Sequence, residues 1–199
     1  MSALLIQLMV SMVVFSSLAL AEPKRVTTFQ TGQGDGDVRW QVVNDTVMGG
    51  RSESSFVIID GQLQFTGKLN TRGGGFASLR SNRQDWDLPE FSVVRMKVRG
   101  DGRDYRFRLY VDNDRASYQR DFATAADEWQ IIELPIKEFH AAWRGRRLNR
   151  PPLLTSRVVG MGLILADGID GPFELTVDWI EFDDSPSLQP SVSPETPPL

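Results

Sequence analysis

The chain has 199 residues, 41% of them hydrophobic and 24% charged, with no cysteine, one histidine and a net charge of −4. That length suits one domain whose core needs no disulfide or metal staple. The missing cysteines remove thiol catalysis and Cys-type zinc sites. A single histidine leaves no basis for a His-rich metal centre, and the acidic balance lacks the basic footprint of a nucleic-acid binder.

The chain opens on an apolar run, Ala3 to Leu20, that ends in Ala19-Leu20-Ala21. Small residues at the end of such a run resemble a signal-peptide cleavage site, so residues 1–21 are expected to be a signal peptide or an uncleaved anchor. No arginine precedes Arg25, which argues against a mitochondrial presequence. The expectation is therefore an exported protein, periplasmic or envelope-associated. Residues 22–183 are expected to fold, and the Pro- and Ser-rich stretch 184–199 to stay disordered, because it carries too little apolar surface to offset ordering entropy.

"TGQGDGD", with Gly32, Gly34 and Gly36, precedes a strand and lacks the Lys-Ser/Thr of a phosphate loop, so it reads as a turn. "WQVVNDTVMGGRSES" follows. Asn44 and Asp45 bond nearby backbone readily, Gly49 and Gly50 allow positive φ or close approach, and Met48 is expected to plug inward. A turn and a cradle for a polar ligand are equally compatible with this pattern. In "FVIIDGQLQF", Asp60-Gly61 signals a type I′ hairpin. That turn sets Ile58 opposite Leu63 and Phe56 opposite Phe65 on one face, with Val57 and Ile59 on the other.

"SVVRMKV" and "YRFRLYV" alternate as strands and are expected to form a second hairpin around "GDGR". That register pairs Met96 with Phe107 and brings Lys97 to Arg106 and Arg95 to Arg108. Such like-charge pairs need acidic neighbours, solvent or an anionic partner. Further strands are "SYQRDF", "WQIIELPI", "VVGMGLIL" and "FELTVDWIEF". The last places Phe173, Leu175, Val177 and Trp179 inward, and "VVGMGLIL" reads as a central strand. One short helix is expected near "IKEFHAAW". Many short strands with Gly- and Asp-rich turns argue an all-β sandwich or jelly roll.

No motif assembles a catalytic site, and His140 reads as a surface or helix-face histidine. Asp45 with Asp112 is the nearest candidate for a carboxylate pair. "DNDR" and "DGIDG" offer oxygen ligands, but without EF-hand spacing they read as turns. The basic run "WRGRRLNRPPLLTSR" holds Arg144, Arg146, Arg147, Arg150 and Arg157 and no acid. It is a solvated loop or a docking surface for an acidic partner or for anionic lipid headgroups. For a carbohydrate ligand, the candidates are Asn44, Asp45, Arg80 and Asp112 with Trp40, Trp86 or Trp143 as an aromatic platform.

"WQVVNDTVMGGRSES", "GQLQFTGKLNTRGGGFASLR", "YRFRLYVDN", "EWQIIELPIKEF", "GMGLILADG" and "GPFELTVDWIEF" together resemble the complex I intermediate-associated protein 30 family. The resemblance implies a galactose-binding-like jelly roll. It also implies an assembly factor for respiratory NADH:ubiquinone oxidoreductase that acts without catalysing a reaction. No cofactor is expected. The expected function is a non-catalytic module that binds a protein partner, or alternatively a carbohydrate, through Asn44, Asp45, Met48, Gly49, Gly50, Arg80, Asp112, Arg146 and Arg147.

Overall fold

The computed structural model describes residues 22–30 and 38–184. The expected leader, the Gly32/Gly34/Gly36 turn and almost all of the expected tail lie outside the described residues. The described chain is all-β, with thirteen strands in two antiparallel sheets.

The first sheet runs β3 (Glu53–Ile59), β4 (Gln62–Leu69), β13 (Gly171–Asp183), β6 (Val93–Arg99) and β9 (Trp129–Pro135), with β1 (Lys24–Thr27) also on β13. The second runs β11 (Arg146–Arg147), β10 (His140–Trp143), β8 (Ser117–Ala123), β7 (Asp104–Val111), β12 (Val158–Leu165), β5 (Ala77–Ser81) and β2 (Trp40–Val42). Their inner faces press together around Phe65, Met96, Phe107, Leu109, Met161, Leu163 and Leu175, all fully buried. Side-chain alternation along each strand supplies this core and leaves the opposite residues for the outer faces.

The β3–β4 hairpin has the expected register, with Phe56 on Phe65 and Ile58 on Leu63. Asp60 and Gly61 both take positive φ, 51° and 71°, as a type I′ turn requires. β13 departs from strict alternation. A bulge between Val177 and Trp179 resets the pleat, so Ile180 and Phe182 enter the core and Trp179 turns outward beneath the Arg25 guanidinium, 4.6 Å from its ring.

The expected second hairpin does not form. β6 pairs with β13 and β9, whereas β7 pairs with β8 and β12 in the other sheet. "GDGR" is a corner between layers. Electrostatics agree with that choice: Arg95 lies opposite Glu133 rather than Arg108 and makes ion pairs with Glu133 at 2.8 Å and with Asp183. Lys97 reaches Asp178 at 2.8 Å. The expected short helix is a single 3-10 turn, Ile136–Glu138, and the chain then extends into β10. Hydrogen bonding of β10 to β8 outweighs the local helical preference.

Candidate functional site

Asn44-Asp45 and the two glycines form a structural lock. Asp45 is 0% exposed and opens a 3-10 turn, Asp45–Met48. Its Oδ1 accepts from the Ser52 amide at 2.9 Å, and its Oδ2 accepts from Ser52 Oγ at 2.7 Å, Gly75 N at 2.6 Å and Phe76 N at 3.4 Å. Burial alone would push this carboxyl up. The hydrogen bonds from Ser52, Gly75 and Phe76 outweigh it and hold the group below its ordinary 3.8. Gly50 and Gly74 are packed on the carboxylate so closely that a Cβ at either would overlap it. Asn44 Oδ1 accepts from Ser54 Oγ at 2.7 Å. Gly49 closes the turn at φ 87°, a conformation that suits glycine.

This lock ties "NDTVMGG" to "GGGFAS", and its product is an exposed tip. Val47 is 70% exposed and Met48 is 65% exposed, so the inward plug expected for Met48 is corrected. The 3-10 turn rotates Asp45 into the protein and Met48 out of it.

The tip overlooks a trough of about 470 Å³ on the outer face of the second sheet, within the size range of ligand sites. Its lining includes Arg80 of β5, Arg106, Arg108 and Tyr110 of β7, and Trp143, the last residue of β10. Arg106 is neutralised by Asp121, with one bond of 2.9 Å. Arg80 and Arg108 have no carboxylate partner among the described residues, and the Nε of each is buried without a hydrogen bond. Burial pushes Arg108 below its usual range; the Tyr110 hydroxyl opposes that shift, while Arg80 and Arg106 add to it.

The other expected site residues are scattered. Asp112 lies in the β7–β8 loop and bonds Arg157 Nε at 2.9 Å, so it is an exposed ion-pair residue with no share in the buried surroundings of Asp45. Arg146 and Arg147 form the exposed edge strand β11 and do not line the trough. The basic run divides: Arg144 stacks on Trp143 at 4.7 Å and lines the trough, while Arg157 pairs with Asp112 and Arg150 lies 3.7 Å from Asp114. Trp40 and Trp86 are buried, which leaves Trp143 as the candidate platform. In "DGIDG", Asp167 pairs with Arg103 at 2.7 Å and Asp170 accepts from Thr71 N at 2.6 Å. His140 contacts Gln119 Nε2 at 3.3 Å. Burial, Arg147 and Arg106 lower its pKa. Arg108, Tyr110 and Arg115 were not singled out as site residues by sequence. The available signal was the alternation of β7, which sets Arg106, Arg108 and Tyr110 on one face.

The complex I intermediate-associated protein 30 profile matches residues 28–177. The chain belongs to that family. A similar relative is "Complex I intermediate-associated protein 30, mitochondrial" of Drosophila melanogaster, 29% identical over 177 aligned positions covering 75% of this chain and 60% of that protein. The Mus musculus protein of the same name is 27% identical, covering 71% of this chain and 51% of that one. The chain thus spans between half and two thirds of these relatives. Among solved structures, the family 11 carbohydrate-binding module of Clostridium thermocellum aligns with a TM-score of 0.60 at 14% identity, covering 85% of this chain and 98% of the module. A family 29 carbohydrate-binding module gives 0.51 at 9% identity, covering 81% and 85%. These likenesses bear on the fold, a galactose-binding-like sandwich.

The expectation of an exported, periplasmic or envelope location is corrected. The relatives are named as mitochondrial proteins, which points to a mitochondrial location instead. The expectation leaned on an apolar run with a small-residue end, a compositional signal that does not by itself fix which membrane system reads it.

Proposed function

We propose that the chain is a non-catalytic assembly module that holds a protein partner during construction of respiratory complex I. The supporting relatives are named for association with a complex I intermediate. The observation that carries the reading is the exposed Val47–Met48 tip, held out by a fully buried, four-bonded Asp45. Ordering an apolar tip in water has no folding benefit, and such features mark interaction sites. Beside the tip lie arginines, Tyr110 and Trp143, residue types enriched in interface cores and hot spots.

Cross-linking mass spectrometry of the full chain in intact mitochondria tests this. Wild type is expected to yield cross-links from the tip to subunits of complex I intermediates, and Val47→Ser/Met48→Ser to lose them while keeping its urea midpoint. Equal cross-linking by both proteins, or none to any complex I subunit, refutes it. A carbohydrate ligand is the second reading, favoured by Tyr110 and Trp143 lining one trough. A glycan array silent with and without calcium removes it.

A further inference from the structure

We propose that the trough seats the carboxylate of an acidic side chain, presented by the protein partner, between Arg80 and Arg108. This rests on the assembly reading and specifies the chemistry of its partner.

The register makes the seat. Arg80 on β5 and Arg108 on β7 both lie directly opposite Gly162 of β12, one on each side. Neighbouring strands are about 4.8 Å apart, so the two arginine Cα atoms are separated by roughly 10 Å; Gly162 contributes no side chain between them, and the Tyr110 side chain reaches in over it, with Arg80 5.8 Å from its ring centroid. A Cβ on Gly162 would lie 2.8 Å from the Leu79 carbonyl oxygen and 3.4 Å from the Tyr110 hydroxyl, so the floor admits only glycine. The same row continues to Gln119, opposite Arg108, which is 4% exposed with an unpartnered Oε1.

Charge balance supplies the second argument. Ion pairs occupy Arg25, Arg95, Lys97, Arg103, Arg106, Arg120, Arg150 and Arg157. Arg80 and Arg108 have no such pair and flank β12; unlike Arg115 and Arg144, which line the same trough without an ion pair but are exposed, they are partly buried, each with an Nε–H sealed from solvent and unbonded. A desolvated donor without an acceptor is costly, and a buried cation without a counter-ion more so. An incoming carboxylate accepts from the terminal nitrogens of both guanidinium groups and supplies the missing counter-charge, and charge-assisted bonds of this kind are the strong ones.

The rim selects a polypeptide over a free anion. Val47, Met48, Phe76, Trp143 and Ile164 surround the arginines, and Trp143 keeps 42% of its surface exposed. A phosphate ion would use none of this apolar surface. An acidic residue flanked by apolar neighbours uses both.

The test is a selection of randomised twelve-residue peptides on the full chain, with Arg80→Gln/Arg108→Gln as the counter-screen. Wild type is expected to enrich peptides with Asp or Glu beside an apolar residue. Changing that Glu to Gln in a selected peptide should weaken binding at least tenfold by fluorescence polarisation. The double variant should weaken it equally, and the two changes together should add little, as a direct contact requires. Should the double variant lose its cooperative urea transition, Arg80→Gln alone carries the test. No acidic enrichment, or losses below threefold, overturns the proposal. Saturation by inorganic pyrophosphate at micromolar concentration with no acidic peptide selected also overturns it, in favour of a phosphate ligand. Complex I cross-links made equally by wild type and the double variant remove the seat and leave the assembly reading standing. Cross-links made by neither remove the assembly reading, whereas the peptide selection does not depend on it.

Discussion

Asp45→Asn keeps the size of the side chain and removes its charge. In the native protein four donors converge on the carboxylate, three of them on Oδ2. An Asn oxygen can take the place of Oδ2, but its NH₂ group then faces the Ser52 amide, donor against donor. The opposite rotamer strands Gly75 N and Phe76 N, whereas the Ser52 hydroxyl can turn to donate to the Asn70 carbonyl. One stranded buried donor costs about 1–3 kcal/mol, and each remaining bond loses the part of its strength that came from charge. The expected loss is about 3 kcal/mol. For a chain of this size that lowers Tm by roughly 6–12 °C. Urea unfolding followed by tryptophan fluorescence measures it, read from the midpoint with the slope unchanged. Asp112→Asn, which breaks an exposed pair with Arg157, is the control and should cost less than about 1 kcal/mol. A loss under 1 kcal/mol for Asp45→Asn would refute the lock and return Asp45 to the list of candidate ligand groups.

Gly74→Ala drives a methyl group into the same carboxylate and should destabilise by about 1–3 kcal/mol, with little added effect on top of Asp45→Ala, measured as a double-mutant cycle. Arg95→Met leaves the buried Asp183 carboxylate without its guanidinium partner and should cost about 3–5 kcal/mol in urea midpoint terms. Asp45, Asp167 and Glu90, whose carboxylate accepts from the Thr155 and Ser156 amides at 3.1 and 3.3 Å, are all held below their ordinary pKa values because hydrogen bonds outweigh the effect of burial. Each therefore contributes stability that is present above its unfolded pKa and lost as pH falls through its folded value. The urea midpoint should decline below about pH 4, and Asp45→Asn should decline less steeply than wild type. Iodide should quench Trp143 and Trp129, which are 42% and 39% exposed, ahead of the buried Trp40 and Trp86; Trp143→Phe should lower the quenchable fraction of the fluorescence, and a fraction unchanged from wild type would contradict the exposed rim.

The β3–β4 hairpin was legible from sequence because both of its determinants are local: an Asp-Gly turn that fixes register and an alternation that agrees with it. The family signature was legible as a pattern, while the division of labour inside it was not. Asp45 and Met48 are three residues apart, and which of them is buried depends on Ser52, Gly75 and Phe76, the last two supplied about thirty positions later. The like-charge conflict between Arg95 and Arg108 was a correct signal attached to the wrong topology: it marked a pairing that does not occur. Trp179 was misplaced because a bulge is one extra residue set by the partner strand, and alternation alone does not reveal it.

Composition, turn chemistry and strand periodicity by themselves determined an all-β chain with a cysteine-free core, since each depends on a residue and its near neighbours. Only the tertiary structure decided which strands share a sheet. That choice sets Arg80, Gly162 and Arg108, from three separate stretches of chain, in a single row. The physical reason is that strand pairing is settled by long-range burial and charge compensation over the whole sandwich, and neither quantity exists within one segment.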